Sequence, residues 1–477
     1  MKVLSTRDPY FSTEWGRICA RGSREDEGPI LAIAGRTIGD VRARGDAALI
    51  EYTSRFDGWK PEGGAALVAG PAAFREAHRS LAPEARRALE LAARRIAAFH
   101  QRERDAQVPL RRDRTGALLG QVTRPLGRVG IYVPGGTARY PSTVLMAAVP
   151  ARIAGVGEVV ACSPAMKPAE AGGREGAIDA WTLAACHVAG VSRLFKVGGA
   201  QAVAAMAYGT ATVPAVDKIC GPGNAYVAAA KRLVFGQVDI DMIAGPTEVA
   251  VVASPDADPA ACAADLLAQA EHDVRAVPLL LTPSAQLAAA VEREVGRQLQ
   301  DLPRRAIAGR SAGERGALVV TQDLEEAVRL ADEFAPEHLA LLVPGARRWL
   351  GKVSRAGAVF AGPFTPEAVG DYVAGPSHVL PTAGTARFAS PLSVATFRRR
   401  MSVIELSRRA LESLAPAVEA LAAAEGLEAH ARAVRMRVGD RRSRVAGRPS
   451  ARGQPGKGSR RASRRSPARG AARERRT

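Results

Sequence analysis

The segment Gln269-Ala270-Glu271-His272 places an amide and an imidazole three residues apart. On a helix, which the surrounding pattern predicts over 258–272, these two side chains share one face. Imidazole is a good ligand for zinc and related metals, whereas an amide oxygen is a harder and less common one. A Gln-x-x-His pair alone is more often a solvated pair of polar side chains, so it indicates a metal site only when further ligands converge on it.

Glu337 and His338 follow Pro336, where a predicted helix ends and a predicted strand begins. Side chains at the edge of a parallel sheet face a ligand crevice. Histidine titrates near neutral pH and a carboxylate can take a proton from water, so the pair could divide two proton-transfer steps. A structural helix-to-strand corner explains the two residues equally well at this point.

Asp371 and His430 are further candidate ligands, and Glu425 accompanies His430. Asp371 lies among Gly and Pro residues, where irregular backbone often presents a carboxylate to a metal, although an Asx turn is the commoner role. Glu425 and His430 are five residues apart and lie on different helical faces, unless Gly426 breaks the helix and turns both inward. Without the other motifs, His430 is better explained as a solvent-facing histidine.

Three glycine-containing segments indicate a nucleotide crevice, although G-x-G-x-x-G with a downstream acidic residue does not occur. Residues 132–136, 197–201 and 221–224 each follow a predicted strand of the same region. Glycine lets backbone N–H groups approach a phosphate closely, and helix N termini favour its negative charge. One such segment is weak support for a cofactor site, and three at one edge of a sheet are stronger.

Strands that alternate with helices predict how these residues are positioned. The apolar runs predict strands at 128–133, 158–162, 193–197, 216–220, 238–253, 278–282, 317–320, 338–343 and 357–361. Helical spacing is predicted between these strands and, before them, over 29–56 and 72–103. This alternation is typical of parallel sheets with helical crossovers, so the predicted fold class is α/β.

The length of 477 residues exceeds one compact core, so several domains are expected. The sequence predicts an N-terminal arm, a first α/β domain that the chain leaves and re-enters, a second α/β domain, a C-terminal helical module and a tail. The predicted bounds are 1–27 for the arm, 28–130 with 247–391 for the first domain, 131–246 for the second, 392–437 for the module and 438–477 for the tail. The metal and catalytic candidates fall mostly in the first domain, and the glycine segments fall in the second.

The net charge of +19 is concentrated at the C terminus. Residues 438–477 contain 14 Arg or Lys and two acids, which leaves +7 for the rest of the chain. Such an ordinary charge argues against nucleic-acid or membrane-surface binding by the folded part. The tail has almost no large apolar residues, so we expect disorder. Nonspecific nucleic-acid contact is the alternative, but the tail has no aromatic residue to stack on bases.

The five cysteines are scattered and form no Cys-x-x-Cys pair, so a reducing cytoplasm is expected rather than a disulfide framework. No secretory hydrophobic segment follows Met1. Residues 197–216 are free of charge over a span-length stretch, but Gly, Thr and Pro interrupt it, and no membrane span is expected.

Longer strings carry these residues together, namely KICGPGN, AGPTE, QAEHD, FAPEHL and GDYVAGPSHVLPT. In this combination the chain resembles the histidinol dehydrogenase family over about residues 1–437. The resemblance implies a zinc-dependent, NAD-linked homodimer that oxidises L-histidinol through bound L-histidinaldehyde to L-histidine, the last steps of histidine biosynthesis. It also implies incomplete Rossmann-like sheets and a C-terminal helical module exchanged across the dimer.

The resemblance also assigns roles to single positions. One zinc ion per subunit would be bound by Gln269, His272 and Asp371 with His430 of the partner subunit, and Glu337 and His338 would be the catalytic pair. The implied NAD contacts are Tyr132, Gln201 and Asn224. The implied substrate contacts are Thr247, Gln269, His272, Glu337, His338, Asp371, His378, Glu425 and His430.

Two residues leave alternatives open. Thr247 stands where the family usually has Ser, so the hydroxyl is kept while the added methyl could crowd a ligand. Cys220 permits a different function, a metal-independent aldehyde dehydrogenase with a cysteine nucleophile. Because Cys220 lies in a glycine segment predicted to contact the cofactor, a small buried residue is the preferred interpretation.

Overall fold

The computed structural model describes residues 1–22, 28–104, 109–135, 140–172 and 174–439. The chain forms two compact units, of which the first comprises Met1–Pro109 and Gln121–Ser402 and the second comprises Leu110–Gly120 and the chain from Val403 onward. Apart from its first two residues, the predicted basic tail 438–477 lies outside the described residues.

The strands and helices alternate along most of the first unit. The strands are β1 (Lys2–Ser5), β2 (Val68–Ala69), β3 (Arg111–Arg112), β4 (Leu118–Pro125), β5 (Arg128–Tyr132), β6 (Glu158–Cys162), β7 (Arg193–Phe195), β8 (Lys218–Cys220), β9 (Asp239–Ile240), β10 (Glu248–Ala253), β11 (Val277–Thr282), β12 (Ala317–Val320), β13 (His338–Leu342), β14 (Ala358–Ala361) and β15 (Arg398–Glu405). The helices are α1 (Phe11–Cys19), α2 (Gly28–Arg44), α3 (Asp46–Asp57), α4 (Pro71–Ser80), α5 (Pro83–Arg104), α6 (Pro141–Ala154), α7 (Ala180–Ala189), α8 (Gly199–Tyr208), α9 (Ala225–Val234), α10 (Pro259–Ala270), α11 (Ala285–Leu299), α12 (Arg305–Glu314), α13 (Leu324–Phe334), α14 (Glu367–Tyr372), α15 (Arg408–Ala424) and α16 (Glu428–Val438).

The first sheet has six strands in the order β1-β12-β11-β10-β13-β14, and all of its pairings are parallel. Every residue of β10, β11 and β13 is buried, because aliphatic clusters cover both faces of the sheet. Continuous apolar strands of this kind are expected where helices cover a parallel sheet on both sides.

The second sheet has the order β2-β7-β6-β5-β8-β9, and only the short edge strand β2 is antiparallel. In chain order, β5 to β9 follow the doubly wound pattern 3-2-1-4-5, so the topological switch point lies between β5 and β8. Aliphatic clusters again cover both faces. The predicted α/β class with parallel sheets is confirmed, whereas the predicted domain bounds stay predictions.

Several elements differ from their predicted extent. The helix predicted over 29–56 is divided at Gly45, whose φ of 55° interrupts the helical backbone. The helix predicted over 72–103 ends at Ser80 and restarts at Pro83, since proline cannot donate the helical hydrogen bond. The strand predicted over 238–253 is two strands, β9 and β10, with residues 241–247 between them.

The N-terminal segment, predicted as an arm, contributes an edge strand to the first sheet. β1 pairs with β12 in parallel, with Lys2 opposite Ala317. Trp15 on α1 is buried and packs against Phe334. Four strand residues are too few for alternation to be recognised in the sequence.

The second unit contains a short hairpin and two helices. β3 pairs with the start of β4 in antiparallel fashion, and α15 packs on α16. Ile404, Leu421 and Met436 are large apolar side chains of this unit that are exposed. None of the helices in the described ranges has the length and apolar character that crossing a membrane requires.

Candidate active site

The predicted catalytic residues meet at the amino-terminal ends of β10 and β13, here called the amino edge of the first sheet. Thr247 directly precedes β10, Glu337 directly precedes β13, and His338 is the first residue of β13. The two strands are neighbours, and their register pairs Val249 with His338. A strand pairing therefore brings Thr247 into contact with residues about 90 positions later in the chain.

Helix α10 brings two more predicted residues to the amino edge. Gln269 is buried in its last turn, and His272 lies two residues beyond its end at Ala270. The Gln269 amide nitrogen lies 2.7 Å from Nδ1 of His338, and its oxygen lies 3.2 Å from the Thr247 hydroxyl. The helix connecting β10 to β11 thus positions a side chain directly against the catalytic pair.

Close polar contacts connect four side chains of the amino edge in series, namely those of Glu337, Thr247, Gln269 and His338. The Thr247 hydroxyl contacts both Gln269 and a carboxyl oxygen of Glu337, and the same carboxyl oxygen accepts from the Glu248 N–H at 3.1 Å. Because Thr247 has one hydroxyl hydrogen, it donates to only one of these neighbours. An ionised Glu337 carboxylate accepts that hydrogen, whereas a protonated Glu337 leaves it available to the Gln269 oxygen.

His338 is a neutral imidazole in this environment. Its burial lowers its pKa to about 4, although the charge of Asp371 and the Glu248 carbonyl act in the opposite direction. Nδ1 lies 3.2 Å from that carbonyl oxygen, whereas Nε2 faces Asp371 at 3.9 Å. When the proton of the neutral ring is on Nδ1 and is donated to the Glu248 carbonyl oxygen, Nε2 is the nitrogen that accepts a proton.

Glu337 is shifted in the direction opposite to His338. Burial raises the pKa of its carboxyl well above the ordinary value, and the hydrogen bond from Thr247 opposes that change. The negative charge of Glu248 raises the pKa further. Neighbouring groups whose pKa values are displaced by burial are typical of acid–base sites.

Asp371 on α14 lies beside the predicted metal ligand His272. Its Oδ1 is 3.4 Å from Nδ1 of His378. Burial acts to raise the pKa of Asp371, but the hydrogen bond and charge of His378 outweigh it with help from nearby imidazoles, so the pKa is lowered overall. Burial lowers the pKa of His272. Neutral imidazole and ionised carboxylate are the forms in which these groups bind metals.

The buried carboxyl groups beside Asp371 form a setting that a cation would stabilise. Glu367, the first residue of α14, is buried, and within the described residues neither of its carboxyl oxygens has a hydrogen-bond partner. Burial and then the charges of Asp371 and Asp265 raise the pKa of Glu367 well above its ordinary value. Helix α10 also ends here, and the carboxyl end of a helix attracts positive charge. A zinc ion on His272 and Asp371 would fit this electrostatic setting.

The two predicted residues of the C-terminal module belong to the second unit. Glu425 follows α15, His430 lies on α16, and both side chains are exposed. In the part of the chain that the structure describes, no group of three or more His, Cys, Asp or Glu side chains is arranged to hold a metal. Of the four predicted zinc ligands, Gln269, His272 and Asp371 belong to the first unit and His430 belongs to the second.

The predicted cofactor contacts lie at the carboxyl-terminal ends of β5, β7 and β8, here called the carboxyl edge of the second sheet. Tyr132 ends β5, and its hydroxyl accepts a hydrogen bond from the Gly199 N–H at 3.0 Å. Gln201 is buried in the first turn of α8. Asn224 caps α9 by accepting from the N–H groups of Tyr226 and Val227. This edge contains the switch point at which doubly wound sheets bind ligands.

A buried ion pair fixes the loop at the carboxyl edge. Lys231, only 2% exposed, pairs with Asp241 and donates to the Gly221 carbonyl at 3.0 Å. The Gly221 N–H donates to the same carboxylate at 2.7 Å. Gly221 has a φ of 108°, and a Cβ there would lie 2.2 Å from the Tyr132 carbonyl oxygen, so only glycine fits.

Sequence reasoning did not select Lys231 or Glu248. A lysine within the apolar helix segment AYVAAAKRLV was the available signal for the first. Glu248, in the AGPTE string, opens a strand that is otherwise Val and Ala, and it is buried. A charge inside an apolar element requires a buried partner, but the sequence does not say which residue supplies it.

The comparison with known proteins agrees with this geometry. The family profile described as histidinol dehydrogenase matches residues 21–438. The chain belongs to the histidinol dehydrogenase family. Curated histidinol dehydrogenases from Syntrophotalea carbinolica and Geobacter metallireducens are 49% and 50% identical to it, over 92% of this chain and 100% and 98% of theirs. The crystal structure of histidinol dehydrogenase from Elizabethkingia anophelis superposes with a TM-score of 0.85 at 33% identity, covering 92% of this chain and 98% of that one.

Membership of the histidinol dehydrogenase family confirms the resemblance and makes the chain an oxidoreductase. The cysteines offer little support for the alternative nucleophile. Burial raises the pKa of the Cys220 thiol well above its ordinary value, and the charge of Asp241 adds to this effect. Since the thiolate is the nucleophilic form, Cys220, the last residue of β8, is better explained as a buried structural thiol.

Proposed function

We propose that this enzyme oxidises L-histidinol to L-histidine with two molecules of NAD, through L-histidinaldehyde that stays bound. The observation that carries the proposal is the buried cluster in which Thr247 and Gln269 link Glu337 to His338. The cluster supplies a neutral proton acceptor beside a second carboxyl, as two successive oxidations at one carbon require. The family to which the chain belongs supports this assignment.

We assign zinc to Gln269, His272 and Asp371, together with His430 of the partner subunit. A bound zinc would supply Lewis-acid attraction for the imidazole and amine nitrogens of the substrate. The Gln269 amide oxygen lies 3.2 Å from the Thr247 hydroxyl, so ligation of a metal through that oxygen would compete with the contact to Thr247. The buried carboxyl group of Glu367, which has no hydrogen-bond partner within the described residues, supports a cation here because a nearby positive charge would stabilise its ionised form.

His338 is the proton acceptor of the first oxidation. As a hydride leaves the carbinol carbon for NAD, the hydroxyl proton passes to Nε2 of His338 and the aldehyde forms. Burial keeps the ring neutral at physiological pH, and the contacts of Nδ1 with Gln269 and Glu248 hold its orientation. A positioned, neutral base near the reacting atom is the requirement of this step.

Glu337 prepares the second oxidation. In its ionised form the carboxylate takes a proton from water, which attacks the aldehyde carbon to give the hydrate. That hydrate is an anion, because Glu337 has kept the proton of the attacking water. It loses a hydride to a second NAD and its remaining hydroxyl proton to His338, which has released the first proton, and the carboxylate of histidine results. Burial raises the pKa of Glu337 and thereby strengthens it as a proton acceptor.

NAD is assigned to the carboxyl edge of the second sheet. Tyr132, Gln201 and Asn224 would contact it, and the N termini of α8 and α9 would face its phosphates. Asn224 uses its amide oxygen to cap α9, which leaves its amide nitrogen as a donor for the cofactor.

A homodimer with shared active sites completes the proposal. Glu425 and His430, the predicted substrate and metal residues of the second unit, are exposed, as are several large apolar side chains of that unit. Exposed apolar surface of this kind supports contact with another subunit. The cytoplasm is the proposed compartment, as the scattered cysteines predict.

The test measures NADH, histidine and zinc in the same preparation. Purified protein should form two NADH for each histidinol consumed, without aldehyde appearing in solution, and should contain about one zinc per chain. Chelation should abolish the activity and added zinc should restore it. Activity indifferent to both treatments favours cysteine chemistry instead, and absence of NADH formation with histidinol excludes the proposed function.

A further inference from the structure

Arg21 lies directly behind the amino edge of the first sheet. It follows α1 in a short 3-10 turn, Ala20–Gly22, and its side chain is buried. Nε and Nη2 donate to the two carboxyl oxygens of Glu248, each at 2.7 Å. The guanidinium also lies 3.3 Å from the centre of the Phe334 ring. The contact is therefore a two-point, planar recognition that only arginine can make.

The partner of Arg21 touches both proposed catalytic side chains through its backbone. The Glu248 N–H donates to the Glu337 carboxyl at 3.1 Å, and the Glu248 carbonyl lies 3.2 Å from Nδ1 of His338. The Glu248 carboxylate also accepts from the Ala383 N–H at 2.7 Å. An interaction that holds Glu248 in place therefore also holds the backbone groups that contact Glu337 and His338.

Arg21 also holds the segment that leads into the catalytic pair. Its Nη2 donates to the carbonyl oxygens of Phe334 at 2.8 Å and of Ala335 at 3.3 Å. Ala335 has a φ of 52°, a left-handed conformation that non-glycine residues rarely adopt. Ala335 therefore is a strained residue two positions before Glu337. The Arg21 guanidinium binds the carbonyl oxygen that precedes Ala335 and the carbonyl oxygen of Ala335 itself.

We propose that Arg21 is a positioning residue for the Glu337–His338 pair, which it holds by binding Glu248 on one side and the Phe334–Ala335 carbonyls on the other. This inference rests on the proposed function, because Arg21 acts only through residues to which that function gives a catalytic role. A buried ion pair is weak support for stability as such, since desolvation offsets much of its attraction. The Arg21 side chain binds Glu248 and also the Phe334–Ala335 carbonyls. This geometry points to alignment of Glu337 and His338.

Two conservative variants test the geometry. Arg21→Lys keeps the charge but loses the planar fork, and Glu248→Gln keeps the side-chain shape but loses the charge. We expect Arg21→Lys to lower kcat by about 10- to 100-fold for histidinol and for histidinaldehyde, as small misplacements of catalytic groups do. The KM for NAD should stay within twofold. Arg17→Met is the matched control, because Arg17 is an exposed arginine of the same segment that pairs with Glu14, and its variant should match the wild type.

A double-mutant cycle separates positioning from general damage. In a Glu337→Gln background, the further loss of aldehyde oxidation on adding Arg21→Lys should be smaller than in the wild type, because one of the two groups being aligned is already gone. Losses that multiply in full, or an Arg21→Lys enzyme with unchanged kcat, overturn the positioning role. If Arg21→Lys does not fold, as thermal unfolding would reveal, Glu248→Gln carries the same comparison. A wild-type enzyme that forms no NADH with histidinol overturns the proposed function and this inference with it, whereas an active wild type with unaffected variants overturns the inference alone.

Discussion

The two parallel sheets of the first unit place their functional residues at opposite ends of their strands. The amino edge of the first sheet carries ionisable side chains, Glu337, His338 and Asp371, whose pKa values are displaced. The carboxyl edge of the second sheet carries glycine loops and the starts of α8 and α9. Helices end at the first edge and begin at the second, so helix dipoles favour a cation at one and phosphate at the other.

Each edge is also held by one buried ion pair. Arg21–Glu248 stands behind the amino edge, and Lys231–Asp241 stands behind the carboxyl edge. In both pairs the cation also donates to backbone carbonyls, Phe334 and Ala335 in one and Gly221 in the other. The comparison suggests that one edge controls the rate of chemistry and the other the affinity for cofactor.

The strongest test of that division removes the proton acceptor. His338→Ala should lower kcat in both oxidations by about 10³-fold, within the range for general acid–base catalysis, and leave NAD binding nearly unchanged. Steady-state kinetics and NAD titration measure the two quantities. His187→Ala is the control, because His187 is exposed and lies outside the amino edge. Equal losses in the two variants would remove the special role of His338.

The free energy of unfolding at acidic pH should also depend on the protonation of His338. In the folded protein its pKa is about 4, below the ordinary 6.5, so the unfolded chain binds this proton first. Stability is therefore unaffected above pH 6.5 and is lost as the pH falls from 6.5 towards 4, by up to about 3 kcal/mol. Urea unfolding of chelator-treated wild type and His338→Asn should show the steeper decline in the wild type. Parallel curves would contradict the assignment.

Glu337→Gln should separate the two oxidations at the amino edge. The amide can still accept from Thr247 and the Glu248 N–H, but it cannot take a proton from water. We expect aldehyde oxidation to fall by about 100-fold and alcohol oxidation by less than about tenfold. Single-turnover measurements with histidinol and with histidinaldehyde compare them. Similar losses in both would mean that Glu337 does not act specifically on water.

At the carboxyl edge, Lys231→Met should weaken cofactor binding more than chemistry. The unpaired Asp241 carboxylate would remain buried, which costs stability and releases the Gly221 loop. We expect the KM for NAD to rise by about tenfold while kcat at saturating NAD changes little. Lys352→Met is matched to it, since Lys352 forms an exposed pair with Glu325 that should contribute little. A lower kcat with unchanged KM would break the proposed division between the edges.

Subunit mixing asks whether only the amino edge needs a second chain. Heterodimers of His272→Ala and His430→Ala subunits contain one site with both histidines, so random mixing should recover about a quarter of wild-type activity. Each variant alone should be inactive. Mixing of Lys231→Met with either variant tests the carboxyl edge in the same way. Proven heterodimers without any recovery would exclude a ligand from the partner.

Local sequence predicted much of the fold. The strand at 317–320 and the helix at 324–334 have their predicted bounds, because apolar periodicity is a property of neighbouring residues. Gly45 and Pro83 divided helices that the periodicity alone made continuous, since backbone geometry can outweigh apolar spacing. The chemical candidates at the amino edge were also visible as residue types in short strings.

What the sequence determined by itself was the family, the α/β class and the identity of the residues with reactive side chains. The tertiary structure decided which of them share an edge, at which end of the strands, and with which buried partners. Arg21 and Glu248 form their contact although 227 positions separate them in the sequence. The first strand, β1, likewise pairs with β12, whose residue Ala317 lies opposite Lys2. Such contacts follow from the order and register of strands, which depend on burial across the whole chain and not on local periodicity.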